Sequence, residues 1–142
     1  MAKSYRELIV WQKAMALAEM VYAVTSTLPA GERYGLVGQL QRAAVSVPSN
    51  IAEGHERRSR ADYRRFITIA CGSLAELETQ LELADRIYQL DSTKTTRAHS
   101  LCDETGRLLR AIERGLRENR IGETPSEYEV TGQPSALSSQ LS

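Results

Sequence analysis

The feature that most constrains this chain is a run in its middle, Gln41-Arg42-Ala43-Ala44-Val45-Ser46-Val47-Pro48-Ser49-Asn50-Ile51-Ala52-Glu53-Gly54. It sets Asn50, Glu53 and Gly54 where the surrounding pattern calls for core. A second stretch, Ala70-Cys71-Gly72-Ser73-Leu74-Ala75-Glu76-Leu77-Glu78, does the same with Gly72, Ser73 and Glu76. A buried polar group without a partner costs about 1–3 kcal/mol. A helical protein that turns several of them inward must pair them, so the two stretches select one mutual arrangement of helices.

The helices are legible from periodicity. Ser4-Tyr5-Arg6-Glu7 has the spacing of a capping box and opens a helix over residues 4–27. Leu8, Trp11, Met15, Ala18 and Tyr22 recur at steps of three and four, and Val10, Ala14, Leu17, Val21 and Val24 form a neighbouring stripe. Two seams imply two sets of neighbours, or one wide core face. After the break Leu28-Pro29-Ala30-Gly31, a second helix carries Leu36, Leu40, Ala43 and Val47 in register and ends at Gly54-His55. Pro48 removes a backbone donor inside it, which predicts a kink near Ala44–Val47 or, as the alternative, two shorter helices.

Ser59-Arg60-Ala61-Asp62 starts a third helix, along which Tyr63, Phe66, Ala70, Leu74, Leu77, Leu81, Ala84 and Tyr88 form an almost uninterrupted seam. Gly72 within it suggests close approach of a neighbouring helix. A fourth helix is expected over residues 94–119, with Leu101, Leu108, Ile112 and Leu116 inward. No strand pattern is present. The reading is all-α: an antiparallel up-down four-helix bundle over residues 1–120 with a kinked second helix. Residues 121–142 hold Glu123, Glu127 and Glu129 and no Lys or Arg, and read as a flexible acidic tail.

Composition adds little about chemistry. At 142 residues the chain fits one domain that needs no metal or disulfide to build a core. Its formal charge is zero, but the acidic tail masks an excess of cations before it. Arginine, which suits bidentate contact with carboxylate or phosphate, dominates those cations; a genome rich in arginine codons would give the same bias. No run is long enough to cross a bilayer, and the N-terminus lacks the apolar core of a signal peptide. Cys71 and Cys102 sit in helical patterns without paired spacing, which fits reduced residues of a cytoplasmic protein.

Four stretches together resemble the 23S rRNA intervening-sequence protein family: residues 7–14 (Glu-Leu-Ile-Val-Trp-Gln-Lys-Ala), residues 39–46 (Gln-Leu-Gln-Arg-Ala-Ala-Val-Ser), residues 50–54 (Asn-Ile-Ala-Glu-Gly) and residues 72–78 (Gly-Ser-Leu-Ala-Glu-Leu-Glu). The accessory variability protein of diversity-generating retroelements looks like a relative of that family. The resemblance implies a bundle assembled as a homopentameric ring with a positive surface. For some relatives it also implies nucleic-acid binding and docking to a reverse transcriptase. It implies no catalysis and no cofactor.

Three constellations are candidates. Arg57, Arg58, Arg60, Arg64 and Arg65 straddle the turn between the second and third helices, as a phosphate-binding rim or a solvated run offset by Glu53, Glu56 and Asp62. Arg107, Arg110, Arg114 and Arg117 fall within a strip about 80° wide on the fourth helix. That ridge could follow a nucleic-acid backbone or meet Glu78, Glu82 and Asp85 of another subunit. Gln39, Arg42, Asn50, Glu53, Ser73 and Glu76 read as an interhelical polar network that fixes register. His55 and His99 stand alone, with no metal spacing. Trp11 and Tyr22 fit core better than base stacking. The expectation is a non-enzymatic homo-oligomer that binds structured RNA or DNA through arginines. The alternative is a scaffold for another polypeptide, with the arginines joining subunits.

Overall fold

The computed structural model describes residues 2–118. The expected tail at 121–142 and the last residues of the expected domain lie outside the described residues. Four α-helices follow in order: α1 (Ile9–Thr25), α2 (Leu36–His55), α3 (Arg60–Tyr88) and α4 (Ser92–Glu118), with 3-10 turns at Tyr5–Glu7 and Ala30–Glu32. Among the described residues no strand is present.

Each helix packs against two others, α1 on α2 and α4, and α3 on α2 and α4. The pairs run antiparallel. Gln41, early in α2, donates to Thr25 at the end of α1 at 3.2 Å. Arg60, which opens α3, donates to the Gly115 carbonyl near the end of α4 at 2.8 Å.

The start of the first helix differs from the expectation. The Ser4 hydroxyl accepts from the Arg6 amide at 3.1 Å and closes only the 3-10 turn. Leu8, fully buried, then takes an extended conformation, and α1 begins at Ile9. The chain dips a large apolar side chain into the core before it turns helical. Val10, Ala14, Leu17, Val21 and Val24 are the core stripe of α1. The second stripe is mixed: Leu8 and Ala18 are buried, Trp11 is half-buried against Tyr5, and Met15 and Tyr22 remain exposed. Tyr22 is therefore a surface residue, against the core placement its spacing suggested.

α2 is one helix through Pro48, not two shorter ones. At its N-terminus no residue caps from the usual position, and Glu32 substitutes: one carboxylate oxygen accepts from the Leu36 amide at 3.3 Å and the other from the Tyr88 hydroxyl. That pair ties the α1–α2 connection to the last turn of α3. α3 starts where Ser59 accepts from the Asp62 amide at 3.0 Å. It ends at Gln89, which adopts a left-handed conformation with φ 52°.

The α3 seam is core as expected, from Tyr63 to Ala84, with Tyr88 half-buried at its end. Two glycines differ sharply. A Cβ on Gly54 would sit 2.7 Å from Phe66 Cβ, so this glycine sets the approach of α2 to α3. Gly72, expected to admit a neighbouring helix, is exposed and has nothing of this chain within 4 Å of a Cβ position.

Candidate nucleic-acid interface

The bundle sets the first arginine group beside the last turns of α4, which carry Arg114 and Arg117. The turn between α2 and α3 leaves Arg57 and Arg58 exposed, and the first turns of α3 carry Arg60, Arg64 and Arg65. Because α3 and α4 are antiparallel, the start of α3 lies beside the end of α4. Arg64 Nε donates to Glu113 at 2.9 Å. The other Glu113 oxygen lies 3.7 Å from Arg117. Glu113 thus joins one member of each group, two stretches about fifty residues apart in sequence.

Phe66 organises the rim from beneath. The guanidinium carbons of Arg57 and Arg65 lie 4.8 and 4.5 Å from its ring centroid. A cation over an aromatic face gains about 0.5–1 kcal/mol at exposed sites. Arg57 also pairs with Glu53 at 2.9 Å, and Arg65 stands 3.9 Å from Asp62. Most of the rim is therefore engaged within the chain.

The remaining arginines have a different character. Arg58, Arg107, Arg110 and Arg114 are exposed and form no ion pair among the described residues. These exposed guanidinium groups carry the chemistry that suits phosphate. Each offers several donors in a planar fork.

The third constellation divides. Ser46 and Ser73 hydroxyls lie 2.8 Å apart across α2 and α3, and Asn50 donates to both the Ser46 carbonyl and its hydroxyl at 2.8 and 2.9 Å. Gln80 approaches Gln39 at 3.5 Å, the limit of a hydrogen bond. Glu53 is engaged by Arg57. Arg42 and Glu76 are exposed, with no ion pair among the described residues. They line an open groove of about 340 Å³ together with Gln39, Ser46, Ser73 and Gln80.

Sequence reasoning missed three residues that build these sites. Ser46 links Asn50 to Ser73, and its spacing of four from Asn50 was the available signal. Phe66 reads as an ordinary seam residue until two guanidiniums lie on it. Glu113 was visible beside the ridge, but its reach to Arg64 requires the fold.

Both cysteine thiols are disfavoured as thiolates. Burial pushes the Cys102 thiol up to about 12 and raises that of Cys71. Among the described residues no group of three His, Cys, Asp or Glu is placed to hold a metal ion. No described helix is long and apolar enough to cross a membrane.

The model of one family, described as 23S rRNA-intervening sequence protein, matches residues 6–111. Among solved structures, a protein of unknown function from the S23 ribosomal protein family of Bacteroides thetaiotaomicron is similar with a TM-score of 0.67. It is 24% identical, over 75% of this chain and 99% of that one, a likeness that speaks to the fold. No curated protein matches the chain.

Proposed function

Because the chain belongs to the 23S rRNA-intervening sequence protein family, we propose that it is a non-enzymatic accessory protein that binds structured RNA or DNA electrostatically. Its working form is a homo-oligomeric ring, five-membered by resemblance, with Pro48 bending α2 to suit. The observation that supports the reading is that Glu113 joins Arg64 of one arginine group to Arg117 of the other, while Arg58, Arg107, Arg110 and Arg114 are exposed and form no ion pair among the described residues. No base-reading motif accompanies them, so phosphate contact supplies the affinity.

The magnitude is testable. Four phosphate contacts give a log–log salt slope of about −3.6 per protomer, or roughly a 150-fold loss of affinity between 50 and 200 mM salt. Fluorescence anisotropy of the full chain with a structured RNA and a matched duplex DNA measures it. Replacing Arg107, Arg110 and Arg114 together by Glu should weaken binding by at least a hundredfold and flatten the slope by about 3. Unchanged affinity and slope would remove this surface as the site.

A second reading has its own support. Arg57, Arg60, Arg64 and Arg65 already serve contacts within the chain, and the free arginines could do the same between subunits of a scaffold that docks another polypeptide, such as a reverse transcriptase. In that case the triple reversal breaks the oligomer instead of a nucleic-acid complex.

A further inference from the structure

We propose that the recess between the end of α1 and the start of α2 takes one unpaired nucleobase of a bound strand, stacked on Tyr22 with its phosphate held by Arg33. This site deepens the nucleic-acid reading above and rests on it: it adds a preference for unpaired strands that phosphate contact alone does not give.

The recess is built where α1 stops. The Thr25, Ser26 and Thr27 hydroxyls donate to the Tyr22, Ala23 and Val24 carbonyls at 3.1, 2.7 and 2.7 Å, so the helix end satisfies its own acceptors. The chain then leaves through Leu28 and Pro29. A cavity of about 320 Å³ opens between the last turn of α1 and the first turns of α2, with Tyr22, Leu28 and Val37 among its walls. That volume is at the small end for ligand sites, so it suits a single ring system and not an extended ligand.

Three features of the recess match the three parts of a nucleotide. Tyr22 is 48% exposed, although its spacing fits core. Its ring gives a base a face to stack on, whatever the identity of the base. The Gln41 amide is held by its bond to the Thr25 hydroxyl at 3.2 Å, and its carbonyl oxygen and second N–H have no partner among the described residues. An amide that offers both a donor and an acceptor suits the edge of a base. Arg33 borders the recess, is exposed and forms no ion pair among the described residues. Its guanidinium carbon lies 5.5 Å from the ring centroid of the exposed Tyr34, which keeps the cation at the mouth. A purely apolar ligand would leave Gln41 and Arg33 unused. A base inside a duplex is paired and stacked on its neighbours, so its face is closed to Tyr22. From Gln41 to Gly54 is about 20 Å along α2, so the recess lies away from the arginines at the α2–α3 turn and meets a different part of the strand.

The test compares an unstructured single-stranded RNA with the same sequence as a duplex, by fluorescence anisotropy of the full chain over a salt series. Tyr22→Ala, at an exposed position, should weaken single-strand binding by about tenfold, the loss of one stacked base. Its duplex affinity should be unchanged, and its salt slope should not move, since stacking releases no counterions. Tyr22→Trp should keep or raise single-strand affinity, which a merely structural role would not give. Titration with uridine and adenosine monophosphates separates the two sources of a base. Tight mononucleotide binding, with single-strand affinity independent of Tyr22, overturns the strand as the source. Equal losses for strand and duplex in Tyr22→Ala, or no loss for either, overturn the recess as a base site and leave the arginine surface in place. Absence of binding to both strand and duplex at low salt overturns the nucleic-acid reading together with this one.

Discussion

Gly54 packs directly against Phe66 and Tyr63 of α3, and Gly54→Ala should show how little room there is. The added Cβ would lie 2.7 Å from Phe66 Cβ and 3.1 Å from Tyr63 Cδ1. Carbon atoms pack best at about 3.5–4.0 Å, so the helices must separate by close to 1 Å. Phe66 Cβ is bonded to the α3 backbone and cannot rotate away. Overpacking of this kind costs about 1–3 kcal/mol. Removing a helix-interior glycine returns up to about 1 kcal/mol. The net expectation is a loss of about 1–2 kcal/mol, or a Tm lowered by about 4–8 °C for a domain of this size. Gly106→Ala is the control. It also adds a Cβ at a buried helical position, but its near contacts are Arg110 Nη1 at 3.0 Å and Leu74 Cδ2 at 3.3 Å, the movable ends of side chains. Its stability should change by less than about 0.5 kcal/mol or rise, since propensity offsets a small adjustment. Urea titration followed by circular dichroism reads both. Wild-type stability or better in Gly54→Ala, with an unchanged m-value, would refute the claim that this glycine sets the helix spacing.

Other expectations follow from the same geometry. Glu113→Gln removes the carboxylate that engages Arg64 and Arg117 and should tighten phosphate binding severalfold, steepening the salt slope by one to two; weaker binding would show that Glu113 positions the arginines rather than masking them. Cys102 should resist alkylation at pH 8 in native buffer and react readily in urea, because its thiol is pushed up to about 12; labelling of the native protein at the unfolded rate would contradict its burial. The Tyr88 hydroxyl holds the Glu32 carboxyl below its ordinary value of 4.5, helped by the Leu36 amide. A lowered folded-state value means that the contribution is present above the ordinary carboxylate range and lost as pH falls through the lowered value. Glu32→Ala should therefore be less stable than the parent at neutral pH, with the gap closing under acid; a gap independent of pH would assign the effect to packing.

Sequence alone fixed much of this protein because helical periodicity is a local property. The seam from Tyr63 to Ala84 and the stripe from Val10 to Val24 each declare a buried face without reference to any other helix. Short connections between long helices then leave few arrangements besides an antiparallel bundle. Local rules failed where the deciding interaction was distant. The capping box expected at Ser4 does not form: the Ser4 hydroxyl accepts from the Arg6 amide and Glu7 accepts from the Lys3 amide, closing only a 3-10 turn, since burial of Leu8 set where α1 could begin. Gly72 and Gly54 look alike as glycines in helices, and only the crossing of α2 with α3 tells the open one from the closed one.

The candidate site shows the same division. Arginine content and spacing could be counted along the chain, but which arginines remain available could not. That depended on Glu113 reaching Arg64 across two helices and on Phe66 lying beneath Arg57 and Arg65. Likewise the sequence grouped Arg42 and Glu76 with Ser73 and Asn50, whereas the packed helices joined only the small polar side chains and left the two charges at the surface. A hydrophobic period is written every three or four residues. The pairing of a charge is decided by distances in space, and those exist only once the bundle has formed.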